Sequence, residues 1–303
     1  MSNLKQTQNK VRIEGILAES NIEYRSYKNK DGNTVKAIGG EFQVLVRTAV
    51  NGVPTDLMIP VRVFSNELTK TGAKNPSFTS IEKVMNEFVS IAAGGEEKAT
   101  KVRITGGSIS VNEYYDGSGR LVSYPRVTAS FVSEVTGNFN PEASFDLVMV
   151  VDSMKEVVDS DGVPVEPEKF VINGSIVQYN GSVDCISLVA NSPATITGVR
   201  DYWNVGDTVR ATGILNFSFS TVEINEANVA FGQATKKQTR KTSELIITSG
   251  YPRYEGDLKI DENELKVGKE ERLARLAELK AKGDKTKATP APTTSYDTTD
   301  LGF

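Results

Sequence analysis

The 303-residue sequence contains no histidine, which removes the commonest general base and the commonest metal ligand. Nucleophile pairs of the Ser–His and Cys–His kinds are excluded with it. A single cysteine, Cys185, excludes an internal disulfide and a cysteine-based zinc site, and it agrees with a reducing, cytoplasmic compartment. Enzymes that use carboxylates or lysine remain, so the composition disfavours an enzyme without excluding one.

Long apolar runs and a surplus of basic residues are also missing. No run approaches the roughly 18 residues that span a membrane, and the N-terminus has no apolar segment typical of a signal peptide. The net charge of −4 excludes a uniformly basic surface but not a local basic face. With 38% hydrophobic residues the chain can bury a core, and its length predicts about two domains.

The first predicted domain, residues 1–139, is rich in β-strand patterns. Residues 10–17, 42–47 and 57–64 alternate apolar and polar side chains, and Asn51-Gly52 indicates a hairpin turn. One helix is predicted between the third and fourth strands. Its apolar stripe runs from Ile81 to Val89, and Thr79 with Glu82 has the spacing of a capping box.

The second predicted domain, residues 140–235, repeats this β-rich character. Val11-Arg12-Ile13-Glu14-Gly15-Ile16-Leu17 and residues 209–215 differ at two positions, and residues 102–106 share the Val-Arg-x-x-Gly core. Short strands can converge on such strings by chance. The alternative is two copies of one small barrel, in which a glycine lets a strand coil sharply.

The C-terminal part changes composition. Residues 236–260 are interpreted as a basic linker, residues 261–282 as a charged and largely solvated helix with Leu273, Leu276 and Leu279 on one side, and residues 283–303 as a disordered tail.

Motifs for nucleotides and metals are missing. There is no P-loop string, and the Asp159-x-Asp161-Gly162 segment lacks the remaining ligands of a calcium loop, so a turn is the better interpretation. No cofactor, metal site or catalytic residue is predicted.

Tyrosines interleaved with arginines and lysines do stand out. Cations can follow phosphates and aromatic faces can stack on bases, which is the chemistry that single-stranded nucleic acid requires. The same tyrosines could instead cover barrel ends or a domain interface. The predicted nucleic-acid-binding residues are Tyr24, Arg25, Tyr27, Tyr114, Tyr115, Arg120, Tyr124, Arg126, Arg200, Tyr202, Trp203, Lys236, Lys237, Arg240 and Lys241.

The tail carries a second pattern. Asp297, Asp300, Leu301 and Phe303 offer an apolar anchor beside negative charge, which suits a pocket with a basic rim on a partner protein. An unselected terminus is the alternative.

Together these residues resemble a known family. The order strand, hairpin, helix, closing strands in residues 10–132 looks like an OB-fold, and Gly206-Asp207-Thr208-Val209 leading to Gly213 is similar to an OB-fold strand. Asp300-Leu301-Gly302-Phe303 is similar to the acidic, Phe-ended tails of bacterial and phage single-stranded-DNA-binding proteins, although this tail is far less acidic. The resemblance implies a mainly β fold of two OB-fold-like barrels, with a C-terminal helix and a disordered tail.

The resemblance also implies a function. We expect a non-enzymatic phage-type protein in the host cytoplasm that binds single-stranded DNA with little sequence preference during replication, recombination or repair. Its tail would recruit replication or recombination proteins, and copies of the chain could self-associate; no membrane partner is expected. One rival is a structural β-protein of a virion, and another is a carboxylate- and metal-dependent nuclease.

Overall fold

A computed structural model describes residues 4–225 and 235–287. Eleven strands are found in this part of the chain: β1 Asn9–Lys28, β2 Thr34–Val50, β3 Val53–Asn66, β4 Lys101–Tyr115, β5 Leu121–Ala129, β6 Val132–Glu134, β7 Glu142–Glu156, β8 Phe170–Val177, β9 Val183–Ala190, β10 Thr208–Asn225 and β11 Thr235–Gly250. The helices are α1 Pro76–Asn86, α2 Ile91–Gly94, α3 Pro193–Tyr202 and α4 Glu262–Lys287.

The first five strands close into a ring, here called barrel 1. The hydrogen-bonded order is β1-β2-β3-β5-β4, and β4 returns to β1. All neighbours are antiparallel except β3 and β5, which pair in parallel at residues 61–63 with 127–129. Because side chains alternate along each strand, residues such as Phe42, Ile59 and Ile104 point into the barrel and are buried. This is the strand order of an OB-like barrel.

The second ring, barrel 2, repeats that order. Its strands follow β7-β8-β9-β11-β10, and β10 returns to β7. The closing pair β9–β11 is again parallel, at Val189 with Ile246. The predicted fold class, mainly β with two OB-like barrels, is therefore confirmed.

The barrels join through their first strands. Residues 9–14 of β1 pair antiparallel with residues 142–147 of β7, and Val11 lies opposite Phe145. Ile16 and Val150 are equivalent, because each is the residue at which the first strand pairs with both the second and the fourth strand of its barrel. Val11 and Phe145 each lie five residues earlier, so the two barrels meet about an approximate two-fold axis.

Helices lie between the third and fourth strands of both barrels. The predicted helix of barrel 1 is α1, but it is capped by Asn75, whose side chain accepts a hydrogen bond from the Ser77 amide, and not by Thr79. It ends at Asn86, so Val89 lies outside it. Barrel 2 contains α3, which the sequence analysis missed. Ser192 and Thr195 form its capping box, and Pro193 opens its first turn.

The internal repeat has a structural basis. Residues 102–106 of β4 and 209–213 of β10 occupy the fourth strand of each barrel, whereas the longer match at residues 11–17 lies on β1. Gly213 is required by close approach, because a Cβ there would lie 1.9 Å from the Ile246 carbonyl oxygen. A larger residue would push β10 and β11 apart.

The C-terminal predictions need correction. Residues 235–250 form β11 and are not a linker, because they pair along their length with β10. The predicted charged helix is confirmed as α4. Its packed side contains Leu265 and Leu276, whereas Leu273 and Leu279 are exposed. Among the helices described, none is long and apolar enough to cross a membrane.

Candidate nucleic-acid interface

The outer side of β1, β2 and β3 in barrel 1 carries arginine and aromatic side chains. Val61 and Val63 point into the core, so the alternating residues Arg62 and Phe64 face outward. Arg62 lies opposite Glu41 on β2 and opposite Thr128 on β5. Phe64 lies opposite Gly39 and is 50% exposed. This side is called the barrel 1 face below.

Tyr27 and Phe64 form an aromatic platform on that face. Their ring centroids are 6.3 Å apart, with the rings tilted by 42°. The Tyr27 hydroxyl donates to Asn66 Oδ1 at 3.0 Å, which fixes the ring. Gly39 makes room beneath, since a Cβ there would lie 3.0 Å from the Phe64 ring. Both rings stay 42–50% exposed and can accept a stacked base.

Arg25 and Tyr24 lie near the platform on the same strand but have different surroundings. The Arg25 guanidinium pairs with exposed Glu23 at 2.9 Å, a contact that is weak in water and free to exchange. Tyr24 instead stacks on Phe78 of α1 at 6.3 Å and donates to Glu82 Oε1 at 2.9 Å. Tyr24 therefore covers the barrel end beside α1.

The β4–β5 hairpin divides its predicted residues between two sides. Tyr114 and Tyr124 meet edge to face with centroids 6.4 Å apart, and the Arg126 guanidinium lies 5.8 Å from the Tyr124 ring while donating to its hydroxyl at 3.2 Å. Tyr115 faces α4, where the Lys280 ammonium lies 5.7 Å from its ring. Arg120 is at the exposed tip, 3.5 Å from Asp116.

The hairpin tip is stabilised by Asp116. Its carboxylate accepts hydrogen bonds from the Ser118 hydroxyl and from the backbone amides of Ser118 and Arg120. The Ser118 hydroxyl, followed by the Arg120 amide, lowers the pKa of Asp116. The turn therefore keeps a negative charge next to Arg120, which reduces the attraction of that arginine for phosphate.

A groove of about 330 Å³ separates the barrels, and it brings together predicted residues that are far apart in sequence. Tyr124 and Arg126 line one wall, and Lys241 of β11 lines the other. The Lys241 ammonium lies 6.0 Å from the ring of Phe219, its partner on β10. Glu41 is the carboxylate of the groove. The barrel 1 face thus continues from Arg62 past Arg126 into the groove.

Trp203 is a correction to the predicted stacking residues. Only 2% of it is exposed, and its indole nitrogen donates to the Tyr251 carbonyl oxygen at 2.9 Å. Trp203 closes the C-terminal end of α3 against β11, where it forms part of a cavity of about 540 Å³. A buried ring offers no face to a base, so its predicted role is wrong.

The other predicted residues of barrel 2 are spread out. Arg200 on α3 pairs with Glu156 and with Glu168, the latter at 3.0 Å, and lies 5.0 Å from the Phe170 ring. These contacts occupy its guanidinium within the fold. Tyr202 is exposed at the rim of the Trp203 cavity.

The remaining predicted residues are placed only in part. Lys236, Lys237 and Arg240 lie on β11, and only their backbone is described. The tail residues Asp297, Asp300, Leu301 and Phe303 lie outside the described residues.

Comparison with known proteins identifies a family. The YorF family model matches residues 7–282, which include both barrels and most of α4. The chain belongs to the YorF family. No curated protein matches. Among solved structures, the chain is similar to the wild-type single-stranded DNA binding protein from Thermus aquaticus, with 12% identity, a TM-score of 0.44, and 83% of this chain and 96% of that chain covered. A deletion mutant of that protein gives the same identity and TM-score, with 97% of its chain covered.

Three residues of this YorF-family chain were missed by the sequence analysis. Arg62, Phe64 and Phe219 are all exposed on strands next to predicted residues. The alternation in Val61-Arg62-Val63-Phe64 already implied that Arg62 and Phe64 share the side opposite the valines. A phenylalanine at an outward position of a strand indicates a binding surface more strongly than a tyrosine does, because it has no hydroxyl group that interacts with water.

Proposed function

We propose that the chain binds single-stranded DNA along the barrel 1 face with little sequence preference. The observation that carries this proposal is the exposed pair Tyr27 and Phe64, flanked by Arg25 and Arg62, on the outer side of the first three strands of an OB-like barrel. Oligonucleotides bind OB-folds on the strand 2–3 side and its neighbouring loops.

The chemistry divides between rings and guanidinium groups. Tyr27 and Phe64 stack on bases, which every base permits because each has a π-face. Arg25, Arg62 and Arg126 neutralise phosphates and release counterions, so affinity falls as salt rises. No reaction is catalysed in this scheme.

The wider role in this proposal is the one implied by the resemblance of the sequence to bacterial and phage single-stranded-DNA-binding proteins. In this proposal the chain is a phage-type protein that protects single strands during replication, recombination or repair in the host cytoplasm. Residues 297–303 recruit partner enzymes of those processes. These finer points rest on the sequence pattern, and removal of residues 283–303 tests the tail by comparing DNA affinity with partner capture.

The test is fluorescence anisotropy of labelled oligo-dT with the full chain at two salt concentrations, against a duplex of equal length. Phe64→Ala and Tyr27→Ala should each weaken binding about tenfold, as expected for one lost base stack. Arg62→Gln should lower the salt slope by about 0.7. Tyr24→Ala is the matched control on the same strand, because Tyr24 stacks on α1, and it should bind like wild type.

Two results would overturn the proposal. One is no binding of oligo-dT at low salt by the wild-type chain, in which case assembly of defined size would favour a structural β-protein. The other is wild-type affinity in both Phe64→Ala and Tyr27→Ala, which would place any DNA elsewhere.

A further inference from the structure

The outer side of β8 and β9 in barrel 2 is chemically different from the barrel 1 face, although the two are topologically equivalent. Its outward positions carry neither an aromatic nor a charged side chain: Val171, Asn173, Ser175, Val177, Val183, Cys185, Ser187 and Val189. Asn173 and Ser187 bond to each other at 2.7 Å. None of these eight outward side chains of β8 and β9 provides the stacking or the positive charge that single-stranded DNA requires.

Helix α4 packs on that side at the end where the turn joins β8 to β9. Leu265 packs with Val177 and Val183 in a small separate apolar cluster. The helix backbone comes close at Gly268, where a Cβ would lie 2.4 Å from Val183 Cγ2. The Lys269 ammonium then pairs with Asp152 at 2.5 Å, and Ser175 donates to the same carboxylate.

Ion pairs to the buried carboxylates Glu113 and Asp184 attach α4 to both barrels. Arg272 and Arg275 bind Glu113 of barrel 1, whose side chain is only 3% exposed. Arg275 also approaches Asp184 of barrel 2 at 3.7 Å. Removing one member of such a buried group leaves an uncompensated charge, so the helix is held firmly in place. The rest of the side faces residues 123–125 of β5 across a groove of about 200 Å³.

The β10–β11 ribbon of barrel 2 has the chemistry that β8 and β9 lack. Phe219 is 52% exposed, and Lys241 lies opposite it on β11. Lys241 also lines the groove between the barrels together with Arg126. A DNA strand that leaves the barrel 1 face through this groove therefore reaches Phe219 next.

We infer that each chain binds one DNA strand along a single path. The path runs from the barrel 1 face through the groove onto Phe219 and Lys241. Barrel 2 contributes its ribbon, while α4 takes the place of nucleic acid on the outer side of β8 and β9. This inference rests on the proposed function. The two barrels therefore have different roles. Barrel 1 provides the main binding surface, whereas barrel 2 provides one wall of the groove and the surface on which α4 packs.

The first test uses point variants of the full chain with oligo-dT. Phe219→Ala should weaken binding about tenfold through one lost stack, and Lys241→Gln should lower the salt slope by about 0.7. Tyr179→Ala is the matched control, because Tyr179 is an aromatic residue, 90% exposed, on the turn between β8 and β9. It should bind like wild type. Loss of affinity in Tyr179→Ala, with wild-type affinity in Phe219→Ala, would overturn the single path.

The second test needs no variant. Hydrogen exchange of the wild-type chain, with and without oligo-dT, should show new protection in β1, β3, β5, β10 and β11 and none in β8, β9 or α4. New protection in β8 and β9 would show a second binding surface and overturn the inference. Failure of the wild-type chain to bind oligo-dT would instead defeat the proposed function, so the two failures are distinguishable.

Discussion

Arg103 and Arg210 occupy equivalent positions in the two barrels, and each guanidinium binds a carboxylate on the first strand of its own barrel. Arg103 Nε lies 2.6 Å from Glu14 Oε2, and Arg210 makes two bonds of 2.8 Å to Asp146. Each arginine lies two residues after the point where the fourth strand meets Ile16 or Val150. The repeated Val-Arg-x-x-Gly string therefore encodes a strand-to-strand ion pair as well as a glycine.

These ion pairs predict a loss of stability in acid. The Arg210 guanidinium lowers the pKa of Asp146, and the Arg103 guanidinium lowers the pKa of Glu14. Unfolded Asp and Glu titrate at about 3.9 and 4.3. Because the folded pKa values are lower, the stabilisation is fully present above about pH 5 and is lost as the pH falls through the folded values.

The measurement is the free energy of unfolding in urea at pH 7, 4.5 and 3. Asp146→Asn should be less stable at pH 7 and should lose less stability on acidification than wild type. Parallel curves for the two proteins would contradict the assignment.

Two helical glycines should respond to alanine with opposite signs. In α3, a Cβ at Gly198 has nothing within 4 Å, so Gly198→Ala should stabilise the protein by up to about 1 kcal/mol through helix propensity. In α4, Gly268→Ala would place its Cβ 2.4 Å from Val183, a buried β-branched side chain that cannot turn away. We expect a loss of about 1–3 kcal/mol from overpacking, measured by denaturant unfolding. Stabilisation by both variants would contradict the close packing of α4.

Alternation and turn signals predicted most strands of both barrels, because a strand with one buried side has a two-residue period that survives in the sequence. They did not predict β11, the strand that closes barrel 2. Features set by tertiary packing were not predictable in this way. Trp203 occurs next to Tyr202 and Arg200, and nothing local shows that the chain turns its indole under Tyr251. Residues 236–260 were interpreted as a linker because Lys236, Lys237, Arg240 and Lys241 make the start of the segment basic and polar. The pairing of β11 with β10 leaves no apolar alternation there to reveal a strand.

The same limit applies to the interface. Tyr124 and Arg126 were chosen from one hairpin and Lys241 from a distant segment, and the packing of the two barrels at the junction of β1 with β7 brings them to one groove. Phe64 and Arg62 were within reach of the strand alternation, whereas the closed side of barrel 2 depends on where α4 packs.

Trp203 provides a simple check on the corrected assignment, since it is the sole tryptophan. Its burial predicts blue-shifted fluorescence in the native protein. Saturating oligo-dT should leave that emission nearly unchanged, because the ring cannot stack on a base. Strong quenching on DNA binding would contradict its place in the core. Replacement by alanine should cost about 3–5 kcal/mol of stability, as expected for a buried aromatic ring.

Glu41 should weaken DNA binding in the wild-type protein. It lies opposite Arg62 on the barrel 1 face and lines the groove with Arg126 and Lys241, so its negative charge opposes a passing phosphate. Glu41→Gln keeps the shape and removes the charge, and we expect affinity for oligo-dT to rise about threefold at low salt. The gain should shrink as salt increases, because exposed charges are screened. Asp161→Asn on the exposed turn between β7 and β8 changes the net charge equally and is the control. An equal gain in affinity in both variants would indicate a general charge effect. No gain in Glu41→Gln would show that the bound DNA strand lies away from the groove.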